Sequence, residues 1–179
     1  IELPTYRLPA AKNVFTHVWE RVSHFIEKAG TIIFAMSVVL WFLQSFDLSF
    51  DMVQSAETSI LGRLGSFIAP VFSPMGYGCW QAAVALLTGI IAKEAVVSTL
   101  AVLLGTSTAN LGAALGALFT PLSALSFLVF TLLYTPCIAA VATIRREFNS
   151  TLKTVGVVLM QCCVAWIVAF VVYTLVGIL

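Results

Sequence analysis

Charge is what this sequence has least of. Charged residues make up 9% of it, hydrophobic ones 60%, and the mean hydropathy is +1.04. Soluble domains average about 25% charged residues. A single soluble core could not hide so much apolar surface, whereas a bilayer can. The net charge of +1 gives no electrostatic footing for nucleic acid. Cysteine is sparse too, with four residues and no CxxC spacing. No GxxxxGK[ST], HExxH or GxSxG pattern occurs. Neither nucleotide hydrolysis nor acyl transfer is therefore expected, and the chain does not read as an enzyme.

What is there is a set of long apolar runs. From Lys12 to Lys28 the spacing is helical: Val14, Val18, Val22, Phe25 and Ala29 form one stripe. His17, Glu20, His24 and Glu27 form another, with Arg21 and Lys28 beside it. An amphipathic segment over 1–28 is expected along the cytoplasmic membrane surface. Residues 29–46 are just long enough for a first span at ~1.5 Å per residue. Residues 59–72, interrupted by Pro70 and followed by Pro74, are too short to cross and are expected as a surface helix. The apolar stretch 80–104 carries Lys93 and Glu94 near its middle, and Gly105 to Asn110 reads as a polar turn. Residues 122–144 form a further span with Pro136 in its interior, ended by Arg145, Arg146 and Glu147. Residues 155–179 form the last. The fold class is all-α, a polytopic transmembrane helix bundle with a gate domain over 29–179. The opening Glu2-Leu3-Pro4-Thr5-Tyr6-Arg7 is not a signal peptide. Because the chain opens at Ile1, a piece of a longer protein is expected.

Charge bias constrains the path. Basic residues flank the start of the first span and the end of the Pro136 segment, so both ends are expected on the cytoplasmic side. If 80–104 crossed fully, the Pro136 segment would run outward and strand Arg145 and Arg146 outside. If it dips in and returns, they land inside. Each half of such a re-entrant hairpin is ~12 residues, about 18 Å of helix, and reaches roughly the midplane. Its turn falls near Gly89 to Glu94. Irregular backbone at that depth is tolerated only within protein or beside a water-filled cavity.

Three groups of residues carry chemistry. A mid-membrane charge costs roughly 3 kcal/mol on insertion scales. Lys93-Glu94 is therefore either a structural pair holding a broken helix or an ion site. Thr88, Ser98 and Thr99 add hydroxyls on either side of the turn. In Tyr134-Thr135-Pro136-Cys137, the proline removes a backbone donor and frees carbonyls at membrane depth, as at the discontinuous helices of transporters. Cys137 follows the break; a buried cysteine is usually apolar filler, yet a thiolate here would be a soft ligand for a transition metal. Cys162 and Cys163, neighbours on a helix, are expected as filler. In the His17, Glu20, His24, Glu27 row, two side chains could share a metal, but a wetted helix face explains the row as well.

These residues bear a likeness. Glu2-Leu3-Pro4-Thr5-Tyr6-Arg7-Leu8-Pro9 resembles the segment before a late span in the FeoB family of bacterial ferrous-iron transporters. Lys28-Ala29-Gly30-Thr31-Ile32-Ile33 is similar to the opening of that span. Trp80 to Gly89, running on through Ala92-Lys93-Glu94, is similar to the family's second gate region, and Leu133-Tyr134-Thr135-Pro136-Cys137 to its cysteine-bearing broken helix. More distantly, the gates resemble those of concentrative nucleoside transporters, where substrate binds between a re-entrant hairpin and a broken helix.

The resemblance implies Fe²⁺ as transported substrate, in the bacterial inner membrane. Cys137, Glu94 and Thr135 are the expected metal ligands, and Lys93, Pro136, Gly89, Thr88, Ser98 and Tyr134 are expected along the pathway or its gate. It further implies a GTP-binding domain and a first gate region elsewhere, with GTP acting only through the former, and leaves room for a homo-oligomer. The alternative is an ion-coupled carrier of a small organic solute such as a nucleoside. A third reading is a structural membrane subunit.

Overall fold

The computed structural model describes residues 10–53, 55–107, 109–134 and 137–178, with Lys28 and Ala29 as backbone only. The expectations resting on Glu2 to Pro9, Thr135 and Pro136 lie outside the described residues. Among those described, the chain is helical and contains no strand.

The first element, α1 (Ala11–Ser45), is one unbroken helix of 35 residues. A surface segment and a separate span were expected there. No proline interrupts the run, and Gly30 meets no neighbour that would force a bend, so both pieces propagate as one helix. Next, α2 (Ile60–Ile68) starts on Ser59, whose hydroxyl accepts from the Gly62 amide at 3.0 Å. A 3-10 helix (Ala69–Met75) continues it, with Pro70 in its first turn and Gly76 turning the chain at φ 77°. The expected surface helix is thus longer and not merely superficial. Its Leu61, Phe72 and Met75 are buried, and Gly65 lets α2 lie against the Trp80 carbonyl and Val84.

The stretch 80–104 folds as two short helices, α3 (Trp80–Gly89) and α4 (Ala95–Leu103), joined by residues 90–94. They pack against one another, and the Thr88 hydroxyl lies 3.1 Å from that of Thr99. At 10 and 9 residues neither crosses a bilayer, since each is only about 15 Å long. A further helix, α5 (Leu111–Leu118), follows the polar turn; it is short and was not foreseen.

The expected proline-broken span is two helices. α6 (Pro121–Leu133) is capped by Thr120, which accepts from the Ser123 amide at 3.2 Å with Pro121 at the first helical position. α7 (Ile138–Phe148) ends with Arg145 and Arg146 in its last turn, where cations suit the helix dipole, and with Asn149 at φ 46°. Last comes α8 (Thr151–Ile178), 28 residues and about 42 Å long. Helices α1 and α8, and the run from Pro121 to Phe148, are long and apolar enough to cross a membrane.

The core runs through the Ala69–Met75 3-10 helix, α3, α4, α6 and α8, with α6 packed along α8. Ala165 and Ala169 of α8 are fully buried, and their small size lets α6 come close enough for the Ser126 hydroxyl to reach the Ala169 carbonyl at 2.8 Å. Phe72, Phe130 and Tyr134 form a continuous aromatic column, with centroids 5.1 and 5.4 Å apart. Outward faces carry Phe34, Leu132, Leu152 and Leu159, as expected of helices with lipid for solvent.

Candidate functional site: a hairpin tip seated at a broken helix

The break between α6 and α7 leaves backbone groups without helical partners: carbonyls at the end of α6 and amides at the start of α7. The 90–94 turn supplies partners on both sides. The Ile138 amide donates to the Ile90 carbonyl at 2.8 Å. The Lys93 ammonium donates to the Leu132 carbonyl at 3.1 Å and sits 5.2 Å from the centroid of the Tyr134 ring. In return, the Tyr134 hydroxyl donates to the Leu86 carbonyl at 3.2 Å, near the end of α3. Hairpin and break therefore satisfy each other's backbone, as buried polar groups require.

Gly89 makes the approach close enough. A Cβ there would collide with the Tyr134 hydroxyl and the Val96 side chain. Thr88 is buried; its hydroxyl lies 2.8 Å from the Ala85 carbonyl, which ties off the end of α3. The turn itself is tight, with the Ile91 amide on the Thr88 carbonyl and the Ala95 amide on the Ala92 carbonyl.

Of the expected site residues, Lys93, Gly89, Thr88 and Tyr134 come together at this junction. Among the described residues no ion pair joins Lys93 to Glu94; Lys93 turns instead to α6. Glu94 is exposed at the start of α4, and Ser98 is exposed on it. Cys137 is half-buried and immediately precedes α7, with its carbonyl accepting from Ala140 and Val141. Its neighbour Ile138 makes the bond to Ile90, so the cysteine is tethered beside the hairpin tip. Among the described residues no three His, Cys, Asp or Glu side chains gather as a metal cage. A cation at the break would thus depend on backbone carbonyls and neutral oxygens besides Cys137.

The His17 to Glu27 row is exposed along its whole length. His17 pairs with Glu20 at 3.6 Å, while His24 and Glu27 line a cavity of about 850 Å³ between α1 and α7 together with Arg21, Arg146 and Glu147. Sequence reasoning missed the Leu132 and Leu86 carbonyls as partners, because every residue carries a carbonyl and nothing marks these two.

Comparison with known proteins places the chain in a family. The Gate family model, described as nucleoside recognition, matches residues 26–151. The chain belongs to the Gate family. A second model, the C terminus of ferrous iron transport protein B, matches residues 1–21. The Fe(2+) transporter FeoB of Staphylococcus aureus (strain MSSA476) is 39% identical over 173 residues, which is 97% of this chain and 26% of that protein. The Fe(2+) transporter FeoB of Methanocaldococcus jannaschii is 42% identical over 156 residues, 83% of this chain and 23% of that protein. This Gate chain thus spans about a quarter of the length of these relatives, and its likeness is to their C-terminal part. No solved structure matches it.

Proposed function

We propose that this Gate chain supplies the second gate half of a pathway carrying Fe²⁺ across the bacterial inner membrane. The observation that carries the reading is the Lys93 ammonium resting on the Leu132 carbonyl at 3.1 Å, with Cys137 on the far side of the break. The carbonyl end of α6 holds a partial negative charge and attracts cations. A lysine placed there occupies the position a passing cation would take. Cys137 adds a soft ligand that prefers a transition metal to Ca²⁺ or Mg²⁺. Thr135 and the freed carbonyls are the hard supplement, and Glu94, exposed at the turn, is the carboxylate that meets the ion before the break. Lys93 is then the gate: Fe²⁺ displaces the ammonium from Leu132, and the ammonium returns when the ion has passed.

In this reading the hairpin enters from the outer side, and Arg145 and Arg146 lie inside. The remainder of the pathway, the GTP-binding domain and the first gate region belong to the rest of the longer protein, as the FeoB likeness suggests. A nucleoside carrier fits less well. Its substrate ring needs an aromatic face, but Tyr134 is already stacked on Phe130 and covered by Lys93. Uptake of labelled Fe²⁺ and of a labelled nucleoside by cells making the full-length protein separates the two readings. Iron uptake without nucleoside uptake is expected, and the reverse overturns the assignment.

A further inference from the structure

The register of α8 against α6 brings one more group to the break. The two helices run antiparallel: Gly177 packs on Leu122, and Ala169 accepts from Ser126. Followed one to two turns further, α8 draws level with the end of α6. Gln161 and Cys162 lie at that level of α8. Gln161 sits one helical turn before the fully buried Ala165, on the same face of α8. Its residue is half-buried, but its side-chain oxygen is wholly buried and accepts no hydrogen bond. Among the described residues no other buried side-chain oxygen or nitrogen is in that state. An amide oxygen left bare in a helix seam is costly, and native structures rarely keep one without a use.

We infer that the Gln161 side-chain carbonyl is a ligand for the cation crossing the break, contributed by α8. The inference rests on reading the break as an ion path. An amide oxygen is a hard, neutral donor suited to a divalent cation. Being neutral, it helps strip water from the ion without holding it as a carboxylate would, and an ion in transit has to leave again. It also brings a further helix to a site where α6, α7 and the hairpin offer too few side-chain ligands among the described residues.

The test uses the full-length protein at matched membrane levels, with Fe²⁺ uptake measured against concentration and melting followed in detergent. In Gln161→Leu an unsatisfied acceptor gives way to an apolar group, so the melting temperature should hold or rise. The KM for Fe²⁺ should rise about fivefold or more, the loss of one neutral ligand. Gln161→Glu keeps an oxygen ligand, so its KM for Fe²⁺ should stay below that of the Leu variant, while the stronger hold of a carboxylate lowers its maximal rate. A Leu variant with the parental KM overturns the inference. So does one whose melting temperature falls with its uptake, which marks a structural bond, and so does a stably folded Glu variant whose KM is no lower than that of the Leu variant. Cys137→Ser, run alongside, separates the two levels. If it is impaired while Gln161→Leu is normal, only the role of Gln161 fails. If both transport normally, the ion path at the break fails with it.

Discussion

The Lys93 ammonium, on the hairpin turn, donates to the Leu132 carbonyl at the end of α6 across 3.1 Å, joining residues 39 apart in sequence. This one bond pairs the hairpin's cation with the carbonyl that the break exposes. A hydrogen bond to a charged group contributes about 1.5–3 kcal/mol. Lys93→Met removes it and leaves the α6 end open. Resting Fe²⁺ leak through the full-length protein should then rise about tenfold, the factor corresponding to the lower figure. Lys93→Arg should leak less than Lys93→Met. A methionine variant that stays as tight as the parent would show that Lys93 does not close the break.

Gly89 is predicted to be irreplaceable for a steric reason. A methyl group there runs into the Tyr134 hydroxyl and the Val96 side chain. Overpacking of this kind typically costs 1–3 kcal/mol, about that much in Gly89→Ala. Tyr134→Phe removes the colliding oxygen together with its bond to Leu86, a loss of about 1 kcal/mol by itself. Melting of the purified full-length variants should therefore show Gly89→Ala well below the parent and the double variant Gly89→Ala/Tyr134→Phe above Gly89→Ala. Additive losses in the double variant would mean that the two residues do not meet.

On the proposed re-entrant path both ends of the hairpin face the same side. Ser73 and Ser107 flank it and are exposed. Gly78 is a poorer probe, because a Cβ there would lie 2.8 Å from the Ser73 backbone. A membrane-impermeant thiol reagent should label Ser73→Cys and Ser107→Cys from outside alone. Labelling from opposite sides would make 80–104 a crossing segment.

The fold class was legible because the bilayer imposes it: scarce charge, long apolar runs and basic flanks leave few alternatives. The break of 80–104 into two packed helices was legible because Lys93 and Glu94 interrupt an apolar run. Lys93, Pro136 and Cys137 stood out as the wrong residues for an apolar run. The continuity of α1 was not legible, because a change from amphipathic to apolar composition resembles a boundary while the backbone needs none. Burial of α2 depended on Gly65 meeting Val84 and Trp80, a tertiary fact. Gln161 was invisible: a single amide in an apolar helix has no period, and only the register of α8 gives it a place.

The central claim is that a metal ion passes the break beside Cys137. Initial rates of Fe²⁺ uptake by full-length Cys137→Ser and Cys163→Ser, at matched expression, test it most directly. Serine keeps the size but loses the soft ligand, whereas Cys163 lies exposed on α8. Changing outer-shell partners of a metal typically costs ~10–100-fold, and a direct ligand should cost at least about tenfold. That loss is expected for Cys137→Ser, with near-parental uptake for Cys163→Ser. Equal, near-normal uptake by both variants would contradict it.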